Sequence, residues 1–115
     1  MNFRIDRVNS ELQKSISEII RRLKDPRITS MISVLEVDTA RDMATAKVYV
    51  SFYGGDPQET LAALKKCAGF IRRELRNEYR ELRSVPELNF LPDTSMQYGE
   101  KIDAILEGLK KNGAD

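Results

Sequence analysis

Seven cations lie between positions 65 and 83: Lys65, Lys66, Arg72, Arg73, Arg76, Arg80 and Arg83. On one straight helix, turning about 100° per residue, they fill an arc of roughly 120°. The acids Glu74, Glu78 and Glu81 fall on the other flank of the apolar stripe Leu61, Leu64, Ala68, Ile71 and Leu75. Arg72, Arg76 and Arg80 repeat every fourth residue, where like charges oppose a helix by about 0.2–0.5 kcal/mol per pair. A row of guanidiniums suits phosphate oxygens, which arginine clamps with paired donors. The chemistry on offer is therefore phosphate binding, and a plain solvated helix surface is the other reading of the same row. The N-terminal stretch adds Arg4, Arg7, Lys14, Arg21 and Arg22. Neutralising six phosphates would give log affinity a slope of about −5 against log salt.

Catalytic chemistry is poorly provided for. Histidine is absent, which removes the commonest general base and metal ligand. Cys67 is the single cysteine, so neither an internal disulfide nor a zinc site nor a Cys-His pair can form. Its place beside the apolar stripe suits a packing thiol. Asp38 and Asp42 flank a polar turn, where a carboxylate pair or a cation site competes with ordinary turn hydrogen bonding. Gly54-Gly55 reads as a strand-ending turn and not as a phosphate loop. Tyr49, Tyr53 and Tyr79 are candidate stacking residues or simple amphipathic side chains. The expectation is a protein without catalysis, cofactor, metal or small-molecule substrate.

With 115 residues, 41% hydrophobic and 32% charged, the chain fits one globular domain over residues 1–115. Its apolar runs are too short to span a bilayer and its N-terminus is too charged for a signal peptide. A cytoplasmic monomer is expected. The net charge of +1 hides an uneven spread. Residues 1–85 carry 16 Lys+Arg against 12 Asp+Glu, and residues 86–115 carry 3 against 6. An anionic partner for the basic part follows from that segregation.

The elements that must carry these groups can be read from periodicity. Ile5, Val8, Leu12, Ile16, Ile19 and Leu23 mark a first helix from Phe3 to Leu23, stopped by Asp25-Pro26. MISVLEV (31–37) and ATAKVYVSFY (44–53) read as a hairpin around DTARDM. In the second strand Ala46, Val48, Val50 and Phe52 share one face, and Lys47, Tyr49, Ser51 and Tyr53 the other. Asp56, Pro57 and Glu59 form a helix start with a capping-box pattern. The helical region they open runs to Leu82 and is interrupted by Gly69, a residue costing about 1 kcal/mol in a helix interior. A third strand covers 87–91 between Pro86 and Pro92, and residues 94–111 suit a last helix and a tail that frays. The expected fold is a two-layer α+β domain with a three-stranded sheet, in the order α-β-β-α-kink-α-β plus a C-terminal helix.

That order resembles a type II KH domain, in which a glycine-containing break between two helices meets nucleic-acid backbone. The GxxG loop of true KH domains is missing. Four segments resemble the ribosome-binding factor A family more specifically: RVNSELQKSISEIIRRLKDPRI, RDMATAKVYVS, AGFIRREL and LRSVPELNFLPDTS. The resemblance spans about residues 4–106. It implies a bacterial assembly factor that binds the immature small ribosomal subunit and its ribosomal RNA, aids late maturation including 5′-end processing, and matters most in the cold. The family's Ala-x-Gly kink maps onto Cys67-Ala68-Gly69, with cysteine in place of the first alanine. Arg72, Arg83, Asp42, Lys47 and Asp93 also match family positions. Asp42 and Asp93 suit caps, and the two arginines suit either RNA contact or an ion pair facing the hairpin. An adaptor whose basic face binds an acidic partner protein is the competing reading, and a small hydrolase resting on an acid pair is a third.

Overall fold

The computed structural model describes residues 3–80 and 85–93. Helix α1 (Phe3–Arg21) leads into strands β1 (Met31–Thr39) and β2 (Thr45–Tyr53). Helices α2 (Pro57–Lys66) and α3 (Ala68–Glu78) follow, and strand β3 (Glu87–Pro92) closes the described order. The final helix expected over 94–111 lies outside the described residues, as does Arg83.

The sheet order is β1-β2-β3, with β1 antiparallel to β2 and β3 parallel to it. The parallel pairing follows from the connection, because the two-helix crossover returns the chain to the same end of the sheet. Alternation then decides the layers. Val34, Val37, Ala46, Val48, Val50, Leu88 and Phe90 face one way and meet Leu12, Ile16, Ile19, Leu64, Ile71 and Leu75 from the helices in one buried cluster. Each of these larger side chains contributes about 1.5–3 kcal/mol by burial.

Val34 and Val37 could not share a face of a regular strand, since their spacing is odd. A bulge at Leu35 resolves this: Val34 pairs with Val50 and Glu36 with Tyr49, leaving Leu35 unpaired. The side chain of Gln13 on α1 donates to the carbonyls of Val34 and Leu35 at 3.1 and 3.2 Å. Asn9 Oδ1 accepts from the Thr39 N–H at 2.9 Å. These bonds cover the outer edge of β1 with α1.

The corner that sets α2 is built from backbone fit. Gly54 and Gly55 have φ of +73° and +59°, so the second strand ends in left-handed turns. A Cβ on Gly55 would lie 2.4 Å from the backbone of Thr29. The buried Thr60 hydroxyl accepts from the N–H groups of Thr29 and Ser30. Asp56 caps α2 by accepting from Gln58 and Glu59 at 3.1 Å, with Pro57 behind it. The capping box is not completed, because the Asp56 N–H donates to Thr29 Oγ1 at 2.9 Å and has no need of Glu59.

Several boundaries differ from the sequence reading: α1 stops at Arg21, not Leu23, and β2 opens at Thr45, not Ala44. β1 runs on to Thr39, and the turn tightens around Ala40–Ala44 with Met43 at φ +64°. Pro92 belongs to β3, where an end position on an edge strand tolerates its missing N–H. The second helical region is two helices, as the expected kink requires, but α3 stops at Glu78, not Leu82.

Candidate nucleic-acid interface

The helix break sits at Cys67, one residue between α2 and α3, with φ −86° and ψ −2°. Its N–H reaches the carbonyls of both Ala63 and Leu64, so the chain tightens there before restarting. Gly69 is not the hinge. It is the second residue of α3, exposed, and a Cβ on it would meet nothing within 4 Å. Cys67 is half-buried against the core, and burial pushes its thiol pKa up. That suits packing and not nucleophilic chemistry.

The break divides the expected basic row. Lys65 and Lys66 lie exposed in the last turn of α2, where cations suit the helix dipole. Arg73 and Arg76 are exposed on α3. Arg72 is half-buried, and its Nε donates to the Val85 carbonyl at 3.0 Å, so this guanidinium braces the segment entering β3. Arg80 is exposed but lies beyond the end of α3, so it does not continue the Arg72–Arg76 row.

Contacts to α1 decide how the other cations group. Ser15 Oγ donates to Glu78 at 2.9 Å and lies 2.7 Å from the Tyr79 hydroxyl. That hydroxyl in turn donates to the Glu11 carbonyl at 3.3 Å. The middle of α1 is thereby fixed against the end of α3, which brings Arg7, one turn before Glu11, toward the same end as Arg80. Arg4 is a turn further out and exposed. Arg21 and Arg22 are exposed at the other end of α1. The loop that follows them holds a bidentate pair, Arg27 to Asp25, with contacts of 3.0 and 2.7 Å. Arg27 holds the Asp25 carboxyl down to about 2, and Lys66 adds to the effect. The loop after α1 therefore lies beside the helix break.

A cleft of about 560 Å³ runs between the break and the open edge of the sheet, lined by Lys47, Lys65, Ala68 and the length of β3. Glu87 and Asp93 direct their N–H groups to β2 at Ala44 and Val50. Alternation therefore turns the backbone groups of Leu88 and Phe90 toward the outer edge. The cleft pairs a strand edge with Lys47 and Lys65, and Glu87 is the one acid in its lining, so an extended anionic chain fits it best at the lysines.

Sequence reasoning did not pick out Arg27, which no periodicity marks, and it named Lys47 as an outward strand residue and a family position without assigning it to the interface. Lys47 had one usable signal, its alternation with Tyr49 on the outer face of β2.

The family model for ribosome-binding factor A matches residues 4–106. The chain belongs to that family. Ribosome-binding factor A of Clostridium tetani is 48% identical over 113 residues, covering 96% of this chain and 93% of that protein. The crystal structure of ribosome-binding factor A from Thermus thermophilus matches with a TM-score of 0.70 at 27% identity, over 76% of this chain and 93% of that one. A Thermus thermophilus ribosome-binding factor A model fitted into a cryo-EM map of its complex with the 30S subunit matches with a TM-score of 0.64 at 28% identity, over 75% and 91%. The α+β, KH-like architecture expected for a ribosome-binding factor A is thus the one this chain adopts.

Proposed function

We propose that this chain is a non-catalytic assembly factor that binds the immature small ribosomal subunit, contacts its ribosomal RNA and promotes late maturation, including 5′-end processing. The observation that carries this reading is the family match over residues 4–106. The complex of the Thermus relative with the 30S subunit supports the partner. The RNA-facing surface is the one around the break. Lys65, Lys66, Arg73 and Arg76 supply phosphate contacts, and Lys47 guards the cleft beside β3. Arg21 and Arg22 extend this surface at one end, and Arg4, Arg7 and Arg80 at the other. Arg72 acts mainly as the brace to Val85. Gly69 leaves the first turn of α3 bare, which suits close approach of an RNA backbone. On this reading the protein works in the cytoplasm, as a monomer and as one domain, and its loss is felt most in the cold.

Co-sedimentation of the full chain with purified immature small subunits tests the reading. Binding that Arg73→Ala with Arg76→Ala weakens, and that RNase digestion abolishes, is the expected result. A complex that survives RNase would instead favour an adaptor holding an acidic protein, and no co-sedimentation would refute the assembly role.

A further inference from the structure

The sheet face turned away from the helices carries a different chemistry from the cation-rich layer. Met31 and Tyr53 are cross-strand partners there, 70% and 80% exposed. The bulge gives Leu35 and Glu36 a shared partner position opposite Tyr49, and both are exposed. Leu35, Glu36, Tyr49 and Asp93 line a shallow pocket of about 270 Å³. Its lining is mostly polar, with the Leu35 and Tyr49 side chains set beside two acidic residues. Asp38 lies in the next row, opposite Lys47, and Glu87 in the row beyond. Lys47 is the one cation among the described strand positions of this face, and Arg41 stands exposed in the turn at its border.

An aromatic ring beside a carboxylate is what a long cationic side chain packs on. The stem lies along the ring and the head meets the carboxylate. Phosphate would meet like charge here. We infer that this face docks a basic segment of a partner protein, with an arginine or lysine side chain seated in the Leu35–Glu36–Tyr49–Asp93 pocket. Met31 and Tyr53 supply the apolar contact beside it. Charge complementarity selects this occupant, and its position on the sheet leaves the helical layer available to RNA at the same time.

Two measurements on the full chain decide the matter. Titration of ¹⁵N-labelled protein with a blocked hexapeptide of alternating arginine and glycine should move the amides of Leu35, Glu36 and Tyr49. Glu36→Lys should weaken that binding by about tenfold, while Glu18→Lys on α1 should leave it unchanged. Shifts spread over acidic residues at large, shifts confined to the helices, or indifference to Glu36→Lys would overturn the inference. This titration needs no ribosomal subunit, so it stays readable even if the assembly role fails. With a benzophenone side chain at position 53, crosslinking on immature subunits should capture a basic protein. Crosslinks to ribosomal RNA, to a second copy or to residues 94–115 of this chain, or none at all, would overturn it.

Discussion

Arg72 on α3 donates its Nε hydrogen to the carbonyl of Val85 at 3.0 Å, tying the helix to the entry of the edge strand. Lysine keeps the charge but cannot reproduce a directed, half-buried donor. Arg72→Lys should lose about 1–2 kcal/mol of stability in urea unfolding. Arg73→Ala and Arg76→Ala, both exposed, should stay within about 0.5 kcal/mol of the parent. Equal stability of Arg72→Lys and parent would show that the bond braces nothing.

Salt dependence separates bracing from RNA binding. Removing one phosphate-binding cation should make the slope of log affinity against log salt shallower by about 0.9, or about 0.7 on single-stranded RNA. Arg73→Ala with Arg76→Ala should therefore flatten it by nearly 2, measured by filter binding across a salt series. A slope that does not move would take both residues off the interface.

Gly55 and Gly69 should behave in opposite ways. Gly55 has φ +59° and its Cβ position overlaps the Thr29 backbone. Gly55→Ala should cost about 3 kcal/mol or more, because backbone cannot move aside cheaply. Gly69 has open space around it, so Gly69→Ala should leave the fold as stable or raise stability by about 0.5–1 kcal/mol. If Gly69→Ala is more stable and still binds immature subunits as tightly, close approach of RNA at Gly69 is refuted.

The acid limb of stability should carry the Asp25–Arg27 pair. Asp25 is held at about 2, below its ordinary 3.8, chiefly by its hydrogen bonds from Arg27. A carboxyl depressed on folding stabilises the fold above its unfolded pKa and loses that contribution as pH falls through the folded one. The stability difference between parent and Arg27→Ala should therefore be full at about pH 5 and shrink toward about pH 2. In Arg27→Ala the backbone N–H of residue 27 still donates to Asp25, so by NMR the carboxyl should rise from about 2 yet stay below its ordinary 3.8. A carboxyl still near 2 in that variant would show another cause.

Thr39 points into the core with its hydroxyl oxygen buried and without a hydrogen-bond partner among the described residues. Thr39→Val keeps the shape and removes an unsatisfied polar group, so thermal unfolding should show equal stability or a gain of about 1 kcal/mol. A clear drop in stability would mean the hydroxyl has a partner after all.

Among the described residues, local pattern was enough for the element order, the α1 stripe, the alternation of β2 and the Asp56–Pro57 helix start, because each is written within a few residues. It also supplied the cations themselves and, through four ordered segments, the family. Tertiary structure alone decided the rest. The end of α3 has no glycine or proline to mark it, and it falls at Glu78, where Tyr79 meets Ser15 and the Glu11 carbonyl across 64 and 68 residues. The bulge at Leu35 exists because Val34 and Val37 must both reach a core that only the assembled layers define. Arg72 looked like one more member of a charged row, and only the returning strand at Val85 made it a brace. Gly69 carried the stronger sequence signal, yet Gly55 is the glycine the fold requires, since its constraint comes from Thr29, packed against it from elsewhere in the chain. Periodicity records which way a side chain faces, and what it meets there depends on contacts distant in sequence.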